Sequence, residues 1–245
     1  VEPEQAEKLV REIVGELMER LAQEVRLAAP TLTYYGRTLE KTLQWAVSVL
    51  TRHDQLGRFR PVAYEQRFGY RGSWPGLELE VDGQTIVLRG SIDRIDVCRE
   101  RGLVRVIDYK SSGKKLELDK VYHGLALQLM VYMLVVLEQY PHLRPAGVLH
   151  FPITDRFVSA DGPLSAEEAL QKRIKQVAMT GLLLKDVEAI QLMDPVEQGY
   201  SQLLQGVQVK KDGTLREAGH LYEGDQFQRL AQWVRGKLVK SVEKW

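Results

Sequence analysis

The 245-residue chain carries 34 Lys and Arg against 33 Asp and Glu, a formal net charge of +1. This balance excludes binding that depends on an overall basic field, so a nucleic acid would have to bind a local patch. The single cysteine, Cys98, excludes an internal disulfide and any zinc or iron–sulfur site built from several thiolates of this chain. Because the sequence has neither a membrane-length apolar run nor signal-peptide order, we expect a cytoplasmic protein without membrane association.

Two helices are predicted before residue 60. An apolar row with a spacing of four predicts an amphipathic helix over residues 2–28, ended by Pro30; the row is Leu9, Ile13, Leu17, Leu21 and Val25. A second row predicts another helix that runs to about Leu56; it contains Leu39, Leu43, Val47 and Leu50. Pro61 separates this helical segment from the next part of the chain.

From Val62 to Tyr109 the apolar period changes to two, in short β-branched segments divided by glycines, which predicts an antiparallel sheet. Later stretches predict a helix over 120–139, a strand in "AGVLHFPI", a helix capped by Ser165 and Glu168, a turn at "KKDG" and a helix from Asp225 to Trp245. The expected fold class is α/β, with a central mixed sheet flanked by helices. We divide the chain into a helical segment (1–58), a core (59–200) and a C-terminal hairpin and helix (201–245), packed as one domain.

The segments "SIDRIDVC" and "LVRVIDYK" predict a hairpin joined by the turn "RERG". This turn makes the numbers of each facing pair sum to 201, so Asp96 faces Arg105 and Asp93 faces Asp108. The charge pair and two apolar pairs support this register. Two facing carboxylates repel each other, and neighbouring valines increase the repulsion, so a compensating cation is expected.

Mg²⁺ would supply that charge, because hard oxygen ligands on adjacent strands suit it, and Mn²⁺ is an alternative ion. We expect Asp93, Asp108 and the backbone carbonyl of Tyr109 to bind the ion, with water completing its shell. Lys110 falls on the same face, where it could contact a phosphate or orient a metal-activated water. Glu65, on a neighbouring strand, is a further candidate ligand or water-orienting base. This set is typical of phosphodiester hydrolysis, with the site at one sheet edge, away from the hairpin turn.

Candidate DNA contacts come after this hairpin in the chain. Gln128 and Tyr132 lie four apart on a predicted helix, so they share a face that could reach a nucleic acid. "SSGKK" lacks the first glycine of a nucleotide-binding phosphate loop, so Lys114 and Lys115 are interpreted as a basic loop that flanks the site. The five histidines show no metal-ligand spacing and are predicted to be structural.

The motifs "GSIDRID", "VIDYKSS" and "GLALQLMVY", in that order, resemble the nuclease module of the RecB-like branch of the PD-(D/E)XK superfamily. They are more similar still to the B subunits of AddAB-type helicase-nucleases of bacteria, over about residues 60–220. The resemblance implies a restriction-endonuclease-like core in which Asp93 and Asp108 bind Mg²⁺ and Lys110 assists catalysis. It also implies that Gln128 and Tyr132 form the family's Gln-x-x-x-Tyr motif. DNA and an AddA-type helicase-nuclease subunit are the implied partners, in double-strand break repair by homologous recombination.

Two departures from that family leave other functions open. The family has an upstream metal-binding histidine, whereas no histidine precedes His53 here. The iron–sulfur cluster expected in the full-length family needs four cysteines, so this chain cannot bind it. The main hypothesis is a Mg²⁺-dependent DNA exonuclease domain that cuts one strand fed to it by a helicase. The alternatives are a non-catalytic DNA-binding or assembly module of the same complex and, third, a free-standing exonuclease.

Overall fold

A computed structural model describes residues 3–24, 29–111, 127–155, 158–159 and 162–242. The helices in this part of the chain are α1 Pro3–Glu24, α2 Ala29–Leu56, α3 Gln128–Gln139, α4 Ala166–Gln176, α5 Val187–Gln191 and α6 Gly224–Val242. The strands are β1 Arg60–Phe68, β2 Leu77–Val81, β3 Gln84–Leu88, β4 Gly90–Cys98, β5 Leu103–Lys110, β6 Arg144–Pro152, β7 Thr180–Leu184, β8 Gly199–Tyr200, β9 Gln208–Val209 and β10 Leu221–Tyr222. Over these ranges, no helix is long and apolar enough to cross a membrane.

The main sheet has the strand order β1-β4-β5-β6-β7-β10. Its pairs are antiparallel except for β5–β6 and β7–β10, which are parallel. A mixed sheet flanked by helices confirms the α/β class. The prediction of one antiparallel sheet from Val62 to Tyr109 was wrong in part, because β2 and β3 pair with each other as a separate two-stranded ribbon. Every residue of β2 pairs with a residue of β3 across the tight turn at 82–83. The two strands therefore form a ladder with each other and not with the main sheet.

The predicted hairpin register is confirmed. Five consecutive pairs of β4 and β5 sum to 201, from Arg94 opposite Ile107 to Cys98 opposite Leu103. The turn is a single 3₁₀ turn, Arg99–Arg101, closed by Gly102 in the left-handed region at φ +59°. Because side chains alternate across a strand, the register decides which residues of β4 and β5 share a face.

The two N-terminal helices form, and α1 packs on α2 through a row of residues other than the predicted apolar row. The small or β-branched Ala6, Val10 and Val14 are buried, and α1 packs on α2. The predicted row is about half exposed at each of the three positions Leu9, Ile13 and Leu17. Smaller side chains allow closer approach of two helix axes, which favours the Ala6 row as the seam. Pro30 lies in the first turn of α2 rather than ending α1, since proline there forfeits no helical hydrogen bond.

The later predicted elements are confirmed where the structure describes them. The helix predicted over 120–139 is seen as α3, its first residues lying outside the described part, and "AGVLHFPI" falls in β6. Ser165 and Glu168 form a reciprocal capping box at α4. The "KKDG" turn is closed by the Lys210 N–H, which donates to the Thr214 carbonyl at 2.8 Å.

One hydrophobic core joins α2, the central strands, α3 and α6, from Val49 in α2 to Val234 in α6. The helix α3 is the most apolar of these elements, with eight consecutive buried residues after Gln128. Burial on all sides fixes the position of this helix over the sheet. The division at residues 58/59 and 200/201 stays a prediction.

Candidate active site

The predicted acidic residues lie where β4 and β5 separate. The paired ladder ends at Arg94 and Ile107, and Asp93 and Asp108 occupy the next step. There the Tyr109 backbone N–H donates to Asp93 Oδ2 at 2.8 Å. The expectation of a site at a sheet edge needs correction, because β4 and β5 are interior strands and the site lies where the ladder between them ends. It is away from the hairpin turn, as expected.

The two carboxylates differ in environment. Asp108 is 2 % exposed, and its Oδ2 accepts no directed hydrogen bond from the described residues. Asp93 is half-buried, and the pKa of its carboxyl is raised, mainly by burial. The hydrogen bond from the Tyr109 N–H lowers this pKa, and the neighbouring Asp108 charge raises it. The carboxylates therefore act on each other, as expected for residues at one step of adjacent strands.

Lys110 supplies the nearest positive charge. Its Nζ lies 2.6 Å from Asp108 Oδ2, in a charge contact that is not aligned as a hydrogen bond. The same ammonium lies 3.4 Å from Gln128 Oε1. Lys110 thus connects strand β5 to the first turn of α3.

Gln128 and Tyr132 lie together, as their spacing predicted. Gln128 Nε2 donates to the Tyr132 hydroxyl at 2.6 Å, and the Tyr132 ring meets Phe68 edge to face at 6.0 Å. Burial raises the pKa of the Tyr132 hydroxyl. The pair forms one side of the site, while Lys114 and Lys115 lie outside the described residues. A DNA-contacting role stays a prediction for all four.

Glu65 is placed differently from the other candidates. In the β1–β4 ladder, the residues on either side of Glu65 pair with Arg94 and Ile92, so Glu65 is level with Asp93. Its side chain is exposed. Its Oε2 accepts from the Ser91 hydroxyl at 3.3 Å. Its φ of +46° is uncommon for a residue other than glycine. No contact joins Glu65 to Asp108 or Lys110 in the described residues, so its catalytic role stays a prediction.

His150 was not among the predicted site residues. It pairs with Asp108 across the parallel β5–β6 ladder, and its Nε2 lies 3.7 Å from Asp108 Oδ2. Burial and the Lys110 charge lower the pKa of this imidazole to about 4, although Asp93 opposes the shift. The imidazole is therefore neutral at pH 7. Only the pairing of two distant strands could have revealed this neighbour.

The opposite face of the hairpin holds a buried ionic cluster. Asp96 accepts from Arg94 Nε at 2.6 Å and from two nitrogens of Arg105 at 2.7 and 2.9 Å. Arg94 also donates to Asp54 of α2 at 2.8 Å. Although burial opposes its charge, the two arginines lower the pKa of the Asp96 carboxyl. The predicted Asp96–Arg105 pair is confirmed, and the cluster attaches α2 to the strands that carry the site.

His53 lies beside that cluster, 2 % exposed, with neither ring nitrogen hydrogen-bonded to the described residues. Burial, then the charges of Arg105 and Arg94, lower its pKa to about 3. Its ring packs edge to face on Phe151 at 6.0 Å. It is a neutral core residue, in line with the structural role predicted for it.

The site fits a divalent cation in its chemistry. Two carboxylates from adjacent strands offer hard oxygen ligands, and the buried Oδ2 of Asp108 lacks the directed partner that a buried oxygen normally has. Within the described ranges, no three His, Cys, Asp or Glu side chains form a group that could hold a metal. The protein side chains would therefore supply few of the ligands, and a backbone carbonyl and water the rest.

The chain belongs to the PD-(D/E)XK nuclease superfamily, whose model matches residues 1–244. Individual relatives agree. The chain is 40 % identical over 221 residues, 87 % of its length, to the B subunit of the ATP-dependent helicase/deoxyribonuclease of Moorella thermoacetica. It is 37 % identical over 243 residues, 96 % of its length, to the corresponding protein of Bacillus pumilus. The match covers 19 % and 21 % of those two proteins, so the chain spans about a fifth of their length.

These comparisons confirm the resemblance drawn from the three motifs. They also agree with the interpretation as a DNA nuclease, because the family is one of nucleases and the relatives are named as deoxyribonuclease subunits. The roles of the individual site residues stay predictions.

Proposed function

We propose that this chain is a Mg²⁺-dependent nuclease domain that hydrolyses phosphodiester bonds of one DNA strand, with Mn²⁺ able to replace Mg²⁺. The observation that carries the proposal is the convergence of Asp93, Asp108 and Lys110 at the ends of β4 and β5. Asp108 is buried there with an oxygen that lacks a directed hydrogen bond. A buried carboxylate beside a second carboxylate needs positive charge in order to stay ionised.

Asp93, Asp108 and the Tyr109 backbone carbonyl would hold the ion. When bound, a divalent cation polarises the phosphate and lowers the pKa of a water molecule, which generates the nucleophile. The protein fixes Asp93 by a backbone donor, so this carboxylate keeps its position without help from a mobile side chain. Glu65 would orient the attacking water from β1.

Lys110 has two roles in this proposal. Without a cation its ammonium compensates Asp108 at 2.6 Å. If the carboxylates held a cation, the ammonium would be free to contact a phosphate oxygen of the DNA. Gln128 keeps it near the site through the 3.4 Å contact, and Tyr132 holds Gln128 in turn.

Cleavage of labelled linear single-stranded DNA in Mg²⁺, in Mn²⁺ and in EDTA tests the proposal. Wild-type protein should cut with either ion and not in EDTA, and Asp108→Asn should lower the rate at least about 100-fold, because loss of a ligand exceeds the effect of losing a supporting residue. The matched control is Asp212→Asn, an exposed aspartate in the turn after β9. Unchanged cutting by Asp108→Asn would show that the site has been assigned wrongly.

The names of the relatives support a helicase partner. We infer an AddA-type helicase-nuclease subunit that feeds DNA to this domain in the cytoplasm, during double-strand break repair by homologous recombination. The chain alone should then cut single-stranded DNA and leave a blunt duplex intact until the partner and ATP are added. Cutting of the blunt duplex by the chain alone would instead favour a free-standing exonuclease.

A non-catalytic DNA-binding or assembly module is the second candidate function. It is favoured by the absence, within the described ranges, of three ligand side chains arranged around a metal. The only cysteine, Cys98, is buried in β4, so an iron–sulfur cluster belongs to this chain in neither function. A module of this kind would bind DNA in EDTA and show no ion-dependent cleavage under any condition.

A further inference from the structure

Among the described residues, three arginines around the end of β1 and the start of β4 have no acidic partner. Arg67 lies near the end of β1, Arg71 in the turn after it, and Arg89 just before β4; all three are exposed. Some exposed arginines elsewhere are paired with an acid, such as Arg229 with Asp225. An exposed guanidinium group without an acidic partner is available to an anionic ligand.

An exposed tyrosine lies among these arginines. Tyr70 is 46 % exposed, and the Arg89 guanidinium lies 5.7 Å from the centre of its ring. The turn that carries Tyr70 is fixed, because Ser73 Oγ accepts from the Tyr70 N–H at 2.9 Å and donates to the Tyr70 carbonyl at 2.7 Å. We name Arg67, Tyr70, Arg71 and Arg89 the arginine–tyrosine patch.

The chain segments that carry the patch lie next to residues that pack against the candidate active site. The close approach of Gly69 and Arg89 ties the two segments of the patch together, since a Cβ on Gly69 would lie 2.6 Å from the Arg89 Cβ. The next residue of the chain, Gly90, packs against Phe68, whose ring contacts Tyr132 of the site. Arg89 is four residues from Asp93 along an extended segment, a distance of about 13 Å.

We propose that the arginine–tyrosine patch binds the unpaired DNA strand on its way to the site, the tyrosine stacking on a base and the arginines contacting phosphates. The inference rests on the proposed nuclease function and adds the route of its substrate. Single-stranded nucleic acids are bound by an exposed aromatic ring combined with cations along the backbone. A base within a duplex could not reach the ring, so the patch selects unpaired DNA.

Binding of fluorescein-labelled oligo(dT) in EDTA tests the arginines without any cleavage. The double variant Arg71→Gln/Arg89→Gln should weaken binding about tenfold at moderate salt. It should also flatten the dependence of log K on log salt by about 1.4, since each contact between a cation and a single-strand phosphate contributes about 0.7. The matched control Arg101→Gln/Arg229→Gln removes the same charge from exposed, paired arginines and should bind like wild type.

The tyrosine is tested by two substitutions. Tyr70→Leu should weaken oligo(dT) binding at least about fivefold, and Tyr70→Phe, which keeps the ring, should bind like wild type. Binding to a blunt duplex of the same length should not change in either variant. Thermal unfolding of each variant, followed by circular dichroism, shows that the protein is folded.

Equal binding by the two arginine double variants, or no oligo(dT) binding by wild type, would overturn the inference. A competition assay gives a further test. If polyglutamate displaced labelled oligo(dT) as well as unlabelled oligo(dT) does, the inference would also be overturned, because the patch would then suit an acidic protein segment. The binding assay needs neither a metal nor catalysis, so its result is independent of the result of the cleavage assay. Wild-type protein that binds through the patch and never cuts would overturn the proposed nuclease function alone.

Discussion

The backbone N–H of Tyr109 donates a 2.8 Å hydrogen bond to the carboxylate of Asp93. Tyr109 lies between Asp108 and Lys110 in β5. Its backbone therefore holds the Asp93 carboxylate of the neighbouring strand β4. Backbone donors have fixed positions, so this bond determines where the Asp93 oxygens lie with little loss of side-chain entropy. The Tyr109 side chain points to the other face, where it contacts Phe151 at 6.0 Å.

Gln128→Ala should lower the rate of DNA cleavage at saturating DNA about 10- to 100-fold, because Lys110 loses the contact that positions it over the site. The control is Gln139→Ala at the other end of the same helix. Single-turnover kinetics measures the effect, and Tyr132→Phe should give a smaller loss, since it removes only the acceptor for Gln128. If Gln128→Ala kept the wild-type turnover, Lys110 would not need Gln128 in order to hold its position.

Asp96→Ala should destabilise the fold by about 3 to 5 kcal/mol, because it leaves Arg94 and Arg105 buried without their shared carboxylate. Urea unfolding measures this loss. Asp54→Ala is the comparison, since Asp54 pairs with Arg94 from a partly exposed position and its loss should cost less. Equal losses for the two variants would argue against a desolvated charge as the cause.

Acid should destabilise the protein through His53. Its pKa is about 3 in the fold and near 6.5 when unfolded, so the stability it contributes is present above pH 6.5 and is lost as the pH falls. Between pH 6 and pH 4 the loss amounts to about 2 to 3 kcal/mol. Arg105, Arg94 and Arg52 face the ring and oppose its protonation, while Asp96 favours it.

His53→Phe removes this titration and keeps a ring next to Phe151. Urea unfolding at several pH values should therefore show a smaller decline of the unfolding free energy toward acid than in wild type. An identical decline would mean that other groups, such as the Asp96 carboxyl, account for the acid sensitivity.

Gly181→Ala should destabilise the fold by about 3 kcal/mol or more, because a Cβ there would lie 2.0 Å from the Val148 carbonyl oxygen across β6 and β7. Gly236→Ala is the matched control. A Cβ on Gly236 in α6 meets nothing within 4 Å, and alanine is the better helix former, so stability should rise by about 0.5 to 1 kcal/mol. Thermal unfolding distinguishes the two; a stable Gly181→Ala protein would contradict the close approach.

Local sequence sufficed for the hairpin. Alternation and a tight turn fixed the register, so the facing of Asp96 and Arg105 and the proximity of Asp93 and Asp108 could be predicted. The position of His150 could not, because it depends on a parallel pairing between distant strands.

Which face of α1 packs on α2 could not be predicted, for a related reason. Apolar residues occur on two sides of α1, and only its packing on α2 shows that the smaller row is buried. In the same way, nothing in "VAYEQRF" signals the left-handed conformation of Glu65.

The parallel pairing of β5 with β6 has a consequence for how the domain folds during synthesis. The β4–β5 hairpin consists of neighbouring residues and can form as soon as both strands have left the ribosome. Strand β6 begins only at Arg144, so the β5–β6 ladder must wait for residues 111–143 to be synthesised and closed into a loop. We therefore expect the contacts that bring Asp93 near Asp108 to be the easier ones to close, and the ladder that places His150 beside Asp108 to form later.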